Sequence, residues 1–238
     1  MLKEFVEKIV SLAPTGRMQI HGREYADRPV VLVRPPCAHH TLELMTLTGL
    51  VDAVRAKLDD LHTDEWVLEV KSYQHVRIVS RRTDAYGCRE ELVAVKLQDV
   101  EAFPFGRFLS REEFVIGLQS RMVPDEGSLA VLKVASALEV ATVTLAEDDG
   151  ISQRTAVKQG VMLKQDVTVK GRVTLRPFRT FREVEQPASE FVFRLRSVNG
   201  QVPECALFEA DGGSWKLDAV LTIKQWIEQK NLGIPVVA

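Results

Sequence analysis

Apolar residues recur along this chain with two different periods, and the changes between them mark out helices and strands. Residues 2–12 set Phe5, Val6, Ile9, Val10 and Leu12 at helical spacing, and Pro14 with Gly16 closes that helix. Brief apolar runs at Met18 to Ile20 and Val30 to Val33, bounded by Gly22 and by Pro35-Pro36, predict two short strands. A second amphipathic stripe runs from Leu47 through Leu50, Val51, Val54 and Leu58 to Leu61. Asp52, Arg55, Lys57 and Asp59 lie opposite it, and Thr46 or Thr48 is placed to cap it.

From Trp66 to Leu97 the period shortens to two in WVLEVK, YQHVRIVS and ELVAVKL, with a turn from Asp84 to Gly87. Ser110-Arg111-Glu112-Glu113 is an S-x-x-E capping box, and Phe114, Val115 and Leu118 follow on one helical face. After the breaker Pro124-Asp125-Glu126-Gly127, Leu129 to Leu138 reads as a helix, and ATVTLA and ISQRTAVK read as strands joined at Asp149-Gly150. VTVKGRVTL, EFVFRLR and CALFEA continue the strands. Phe191, Phe193 and Leu195 point inward in the second of these, and Asn199-Gly200 supplies a turn. Residues 214 to 229 form a last helix, with Trp215, Leu217, Val220, Ile223, Trp226 and Ile227 apolar and Asn231 and Gly233 as its stop. The expectation is an α+β fold, largely antiparallel sheet with about five helices. It forms one unit over 1–238, with a soft division near 105.

Composition narrows the class. Of 238 residues, 45% are hydrophobic and 27% charged, which is an ordinary globular balance. Lys and Arg (31) nearly offset Asp and Glu (33), so binding to nucleic acid or an anionic membrane would need a local patch. No apolar run approaches a membrane span, and the start MLKEFVEKIV lacks a secretory core. Three scattered cysteines, Cys37, Cys88 and Cys205, fit reduced thiols. The cytoplasm is the expected compartment.

Candidate chemistry is sparse. Cys37, His39 and His40 form the tightest group of metal-type ligands but lack a further Cys or His at motif spacing, so no metal site is expected. Glycine spacing for a phosphate loop and a nucleophile elbow are both missing, and nothing points to a cofactor. Paired carboxylates occur at Asp148-Asp149, at Glu183 with Glu185, and at Glu209 with Asp211. The last two pairs are spaced to share a strand face, as a metal-dependent hydrolase would want. Glu209, Asp211, Gly212 and Gly213 form an anion site or, more simply, a tight turn with Ser214 as N-cap. The least ordinary stretch is RPFRTFREVEQP, residues 176–187. There Arg176, Arg179 and Arg182 recur every third residue around Phe178 and Phe181, a period suited to an extended or irregular segment. These five side chains are candidates for an interaction surface, or for contact with the phosphates and bases of a single strand.

The segments TLTGLVDAV, FPFGRFLSREEFVIGLQS, EDDGISQRTAVKQGV, RPFRTFREVEQPASEFVFRLR and ALFEADGGSWKLDAVLTIKQWI keep their order from Thr46 onward. Together they resemble an uncharacterised family of tailed-bacteriophage and prophage proteins, and the layout is distantly similar to YfdQ-type prophage proteins. The resemblance implies a setting, the early recombination and DNA-metabolism region of phage genomes, and carries no catalytic residues. The expected function is therefore non-enzymatic, through self-assembly or through a phage or host protein partner. Single-stranded nucleic-acid binding is the first alternative and metal-dependent hydrolysis through Glu209 and Asp211 the second. No membrane is expected to take part.

Overall fold

The computed structural model describes residues 2–12, 16–20, 23–26, 41–58, 61, 63–83, 87–98, 101–138, 143–148, 152–159, 162–196 and 203–238. The expected strand at 30–33, the group Cys37, His39 and His40, and the turns at Asp149-Gly150 and Asn199-Gly200 lie outside these residues. The described chain carries five α-helices and thirteen strands, the α+β composition expected, in mostly antiparallel sheets. It divides into two compact units, Met1–His40 and Thr41–Ala238. This boundary is not the soft division near 105 that the sequence suggests.

The first unit holds α1 (Leu2–Leu12) and an antiparallel hairpin of β1 (Arg17–Ile20) and β2 (Arg23–Ala26), in which Met18 pairs with Tyr25.

The second unit contains two cores. The first is built on a five-stranded sheet of β3 (Leu42–Leu44), β4 (Trp66–Ser72), β5 (His75–Ser80), β6 (Glu91–Lys96) and β13 (Val236–Val237), in the order β13-β4-β5-β6-β3. The central strands are antiparallel, as their short connections require, but both edges are parallel: β3 on β6 and β13 on β4. Period two sends Leu68, Val70, Val76, Ile78, Val93 and Val95 to one face. There they meet α2 (Leu47–Arg55) and α5 (Trp215–Glu228).

Thr46 caps α2 by accepting from the Gly49 backbone N–H at 3.1 Å. The helix stops at Arg55, well short of Leu61, because Lys57 turns into the left-handed region (φ 51°). Leu58 is left exposed and Leu61 re-enters the core from a loop. In α5 every fourth residue, Trp215, Ala219, Ile223 and Ile227, is buried, and Leu217, one of its apolar residues, faces solvent. Asn231 (φ 50°) and Gly233 (φ 74°) end it as expected.

The second core lies between α3 (Arg111–Arg121), α4 (Glu126–Ala137) and an antiparallel sheet of β10 (Arg172–Leu175), β11 (Ser189–Arg196) and β12 (Glu204–Glu209). The capping box holds in full: Glu113 N–H donates to Ser110 Oγ at 3.3 Å, and Ser110 N–H donates to Glu113 at 3.2 Å. Helix α4 begins three residues earlier than its apolar stripe, because Asp125 and Ser128 form a second reciprocal cap at 2.9 Å each way. Gly127, which reads as a breaker, sits inside this helix; a Cβ there would lie 2.2 Å from the Thr174 carbonyl oxygen of β10. A third antiparallel sheet, β7 (Val143–Asp148), β8 (Ser152–Gln159) and β9 (Met162–Lys170), is inserted between α4 and β10. Gly171 splits the run VTVKGRVTL where the chain passes from one sheet to the other.

Candidate functional site

Between β10 and β11 the chain leaves the second core, crosses to the first and returns. This strap, 176–188, contains RPFRTFREVEQP, and it is irregular, as its period of three suggests. Phe178 N–H donates to the Arg121 carbonyl (3.0 Å), and Val123 N–H donates to the Arg176 carbonyl (2.8 Å), which pins the strap to the end of α3. Buried Gln186 folds it. Its Oε1 accepts from the backbone of Arg179 (2.9 Å) and Thr180 (3.2 Å), and its Nε2 donates to the carbonyl of Phe181 (2.9 Å). Thr180 Oγ1 donates to the Tyr73 carbonyl at 2.6 Å. Glu183 accepts from Thr48 N–H (3.2 Å) in the first turn of α2, where the helix dipole favours a carboxylate.

A period of three on this irregular backbone sends the three arginines into three environments. Arg176 lies at the surface, 3.1 Å from Glu185. Arg182 is exposed and lies flat over Phe178, its Cζ 3.6 Å from the ring centroid. Arg179 is enclosed, with its side chain only 8% exposed. Its guanidinium carbon lies 4.4 Å from the Trp215 ring centre, 4.8 Å from Phe105 and 5.3 Å from Phe191. Its nitrogens donate to Glu209 Oε1 (2.5 Å) and Ser189 Oγ (3.3 Å). Burial pushes the Arg179 pKa down and the carboxylates of Glu209 and Asp211 pull it back, so the guanidinium stays charged. Phe181 has no exposed surface; it packs with Val184 in the first core and has no ring face to offer a ligand.

The second candidate segment meets the first here. Glu209 ends β12 and is the carboxylate that holds Arg179. Asp211 lies beyond the strand, so the two carboxylates do not share a strand face. Its Oδ1 accepts from Gly213 N–H (3.0 Å) and its carbonyl accepts from Ser214 N–H (3.3 Å), while Gly212 (φ 63°) and Gly213 (φ 84°) take the left-handed conformation that suits glycine. The segment is thus a turn in which Asp211 takes the N–H groups of Gly213 and Ser214. Ser214 stands at the N-cap position of α5 but makes no side-chain cap hydrogen bond, contrary to expectation. Asp211 Oδ2 is buried with no hydrogen-bond partner. Glu183 and Glu185 also separate, one to α2 and the other to Arg176.

A cleft of about 220 Å³ opens where the two cores join. Tyr73 and Gln74 of the β4–β5 turn, Phe105, Phe178 and Trp215 wall it, and Arg179 and Glu209 line it with them. Tyr73 and Trp215 meet edge to face at 4.8 Å. Sequence reasoning missed Tyr73, Phe105 and Trp215 as site residues. Each reads locally as an ordinary turn, loop or core aromatic, and only the fold gathers them.

Two other titratable groups do not line the cleft. Burial and Lys71 hold the His75 pKa below 6.5, and its Nε2 is buried without a partner. Burial pushes the Cys205 thiol up to about 12. Among the described residues no three His, Cys, Asp or Glu side chains are grouped to hold a metal ion, and no helix is long and apolar enough to cross a membrane. No family model, curated protein or solved structure matches this chain.

Proposed function

We propose that this protein is a non-enzymatic phage or prophage accessory that acts by binding, assembling with itself or with a phage or host protein through the cleft between its cores. The observation that carries this reading is convergence. The two most distinctive segments of the sequence, distant along the chain, meet as the Arg179–Glu209 pair and border one small aromatic cleft. Interfaces concentrate their energy in a few Trp, Tyr and Arg side chains set in such pockets. Each carboxylate that hydrolysis would need holds a neighbour through one oxygen, Glu209 to Arg179 and Asp211 to Gly213 of its own turn, and the two do not share a strand face.

Single-stranded nucleic-acid binding is the second reading, favoured by the exposed Arg182–Phe178 stack. Of the five strap residues weighed for it, Phe181 is withdrawn into the first core, and Arg176 and Arg179 are already paired.

Light scattering of the purified chain across micromolar concentrations, alone and with single-stranded DNA, tests both. The expected result is a species heavier than a monomer that Phe178→Ala dissociates. A monomer throughout, unmoved by DNA and recovering no partner from infected-cell lysate, would sink both readings. Calorimetric binding of a divalent metal that Glu209→Gln abolishes would reinstate the hydrolase.

A further inference from the structure

We infer that two copies of this chain exchange α1: the helix of one copy lies across the apolar face of the β7–β8–β9 sheet of the other, and the reverse contact closes a two-fold pair. The contact goes beyond the reading of the cleft, since no residue that lines the cleft belongs to α1 or to this sheet.

Each side presents an apolar face that lacks a layer, and a helix or sheet of this kind is stable when another element covers that face. In α1, Leu2, Phe5, Val6, Ile9 and Leu12 recur at helical spacing, with Lys3, Glu4, Glu7 and Lys8 opposite. Phe5, Val6 and Ile9 are 64%, 51% and 52% exposed, so the stripe is open to a second molecule.

The inserted sheet is two-faced by register. Val143 opposes Val157, Leu145, Thr155 and Val167 form one row across the three strands, and Val169 stands two residues further along β9. These positions share a face, because residues directly opposite in an antiparallel ladder do and successive residues alternate. Thr144, Arg154, Asp166 and Lys170 hold the other face, while Asp148 and Gln153 end the apolar one. Among the described residues no helix or other sheet makes a substantial contact with these strands.

Dimensions and charge select a helix as the cover. Three strands about 4.8 Å apart make a platform roughly 10 Å wide, the diameter of one helix, and α1 at about 16 Å is shorter than the strands. Its two lysines and two glutamates cancel, which suits a neutral face better than an anionic membrane surface. Pairing α1 with α1 is disfavoured, since its 11 residues are about one and a half heptads and a coiled coil takes roughly three or more. Sheet packed on sheet would leave both α1 stripes open.

The test is sedimentation velocity of the full chain at micromolar concentration, on a Phe178→Ala background that removes association through the cleft. The background protein should be a dimer. Ile9→Asp in α1 and Val167→Asp in the sheet each break both contacts of the pair. Each should raise the dissociation constant roughly a hundredfold, because a carboxylate enters an apolar layer twice. Mixed in equal amounts, the two variants should form a dimer about tenfold tighter than either alone, held by α1 of the Val167→Asp chain on the sheet of the Ile9→Asp chain. The mixture uses only the intact element of each chain, so the result holds even where a substitution unfolds the element that carries it.

A background protein that stays monomeric would overturn the exchange and leave the cleft reading standing. A native chain no heavier than its Phe178→Ala form would remove the cleft reading and leave the exchange untouched, provided both are dimers. A dimer that survives Val167→Asp would point to α1 on α1, and one that survives Ile9→Asp to sheet on sheet; either outcome overturns the inference. So would a mixture no tighter than its parts.

Discussion

The enclosed residues of the first core include one aromatic ring, Phe181, and it arrives from the irregular strap; the second core holds Phe103, Phe114, Phe191 and Phe193. The first is otherwise leucine, isoleucine and valine, delivered by period-two strands and helical stripes, so its regular elements position most of it. The second is knit by ring contacts: Phe103 with Phe114 edge to face at 5.7 Å, Phe114 with Phe193 at 5.6 Å, and Phe105 stacked on Phe191 at 4.9 Å. Phe105 and Phe191 are also rings over which Arg179 lies. The aromatic core therefore has an edge with a polar use, and the candidate site forms where that edge meets Tyr73 and Trp215 on the elements of the aliphatic core.

The contrast is sharpest at Phe181, the aromatic residue on which the aliphatic core depends. Phe181→Ala should cost about 3–5 kcal/mol in urea unfolding. Trp66 and Trp226, packed against the first core, should report the change. A loss below about 1 kcal/mol would mean that the strap does not anchor this core.

Gly127→Ala probes the second core at α4. Helix propensity alone favours alanine by about 1 kcal/mol. Contact with the Thr174 carbonyl should reverse that sign and destabilise by about 2 kcal/mol, and stabilisation would show that α4 does not lie so close to β10.

Arg179→Met should cost about 2 kcal/mol, mostly through lost ring contacts, since Glu209 is 43% exposed and regains water. Arg176→Ala, breaking a surface pair, should cost less than about 1 kcal/mol. Equal costs would erase the distinction between enclosed and surface arginines.

The smallest effect belongs to pH. His75 is held below 6.5 by burial first, then by Lys71, with Arg77 and Lys96 adding to this and Glu91 opposing it. The neutral imidazole is thus the favoured folded form. Its contribution is complete above pH 6.5 and is lost as pH falls through the lowered folded value. Denaturation midpoints of the native protein should therefore decline more over that window than those of His75→Gln, and parallel curves would exclude the effect.

Much of this fold was legible. Ser110 with Glu113 starts α3, Phe191, Phe193 and Leu195 turn inward on β11, and Asn231 and Gly233 stop α5, because caps and periods are set by hydrogen bonds within a few residues. The misses have tertiary causes. The stripe to Leu61 outlasts its helix because a core can be filled from a loop, and Gly127 enters a helix because a neighbouring strand needs the space. Leu217 lies outside because the buried stripe of α5 is narrow, Trp215, Ala219, Ile223 and Ile227.

The sequence by itself determined the element types, most of the caps and turns, and the two segments in which unusual chemistry is concentrated. Tertiary structure decided what those segments do: which arginine is enclosed, which phenylalanine is withdrawn, and that Arg179 finds Glu209. The physical reason lies in the strap's backbone. No ladder of hydrogen bonds gives it a repeat from which side-chain direction can be read, so its side chains are aimed by partners from other parts of the chain, such as Trp215, Tyr73, Phe105 and Glu209, that only the packed cores bring within reach.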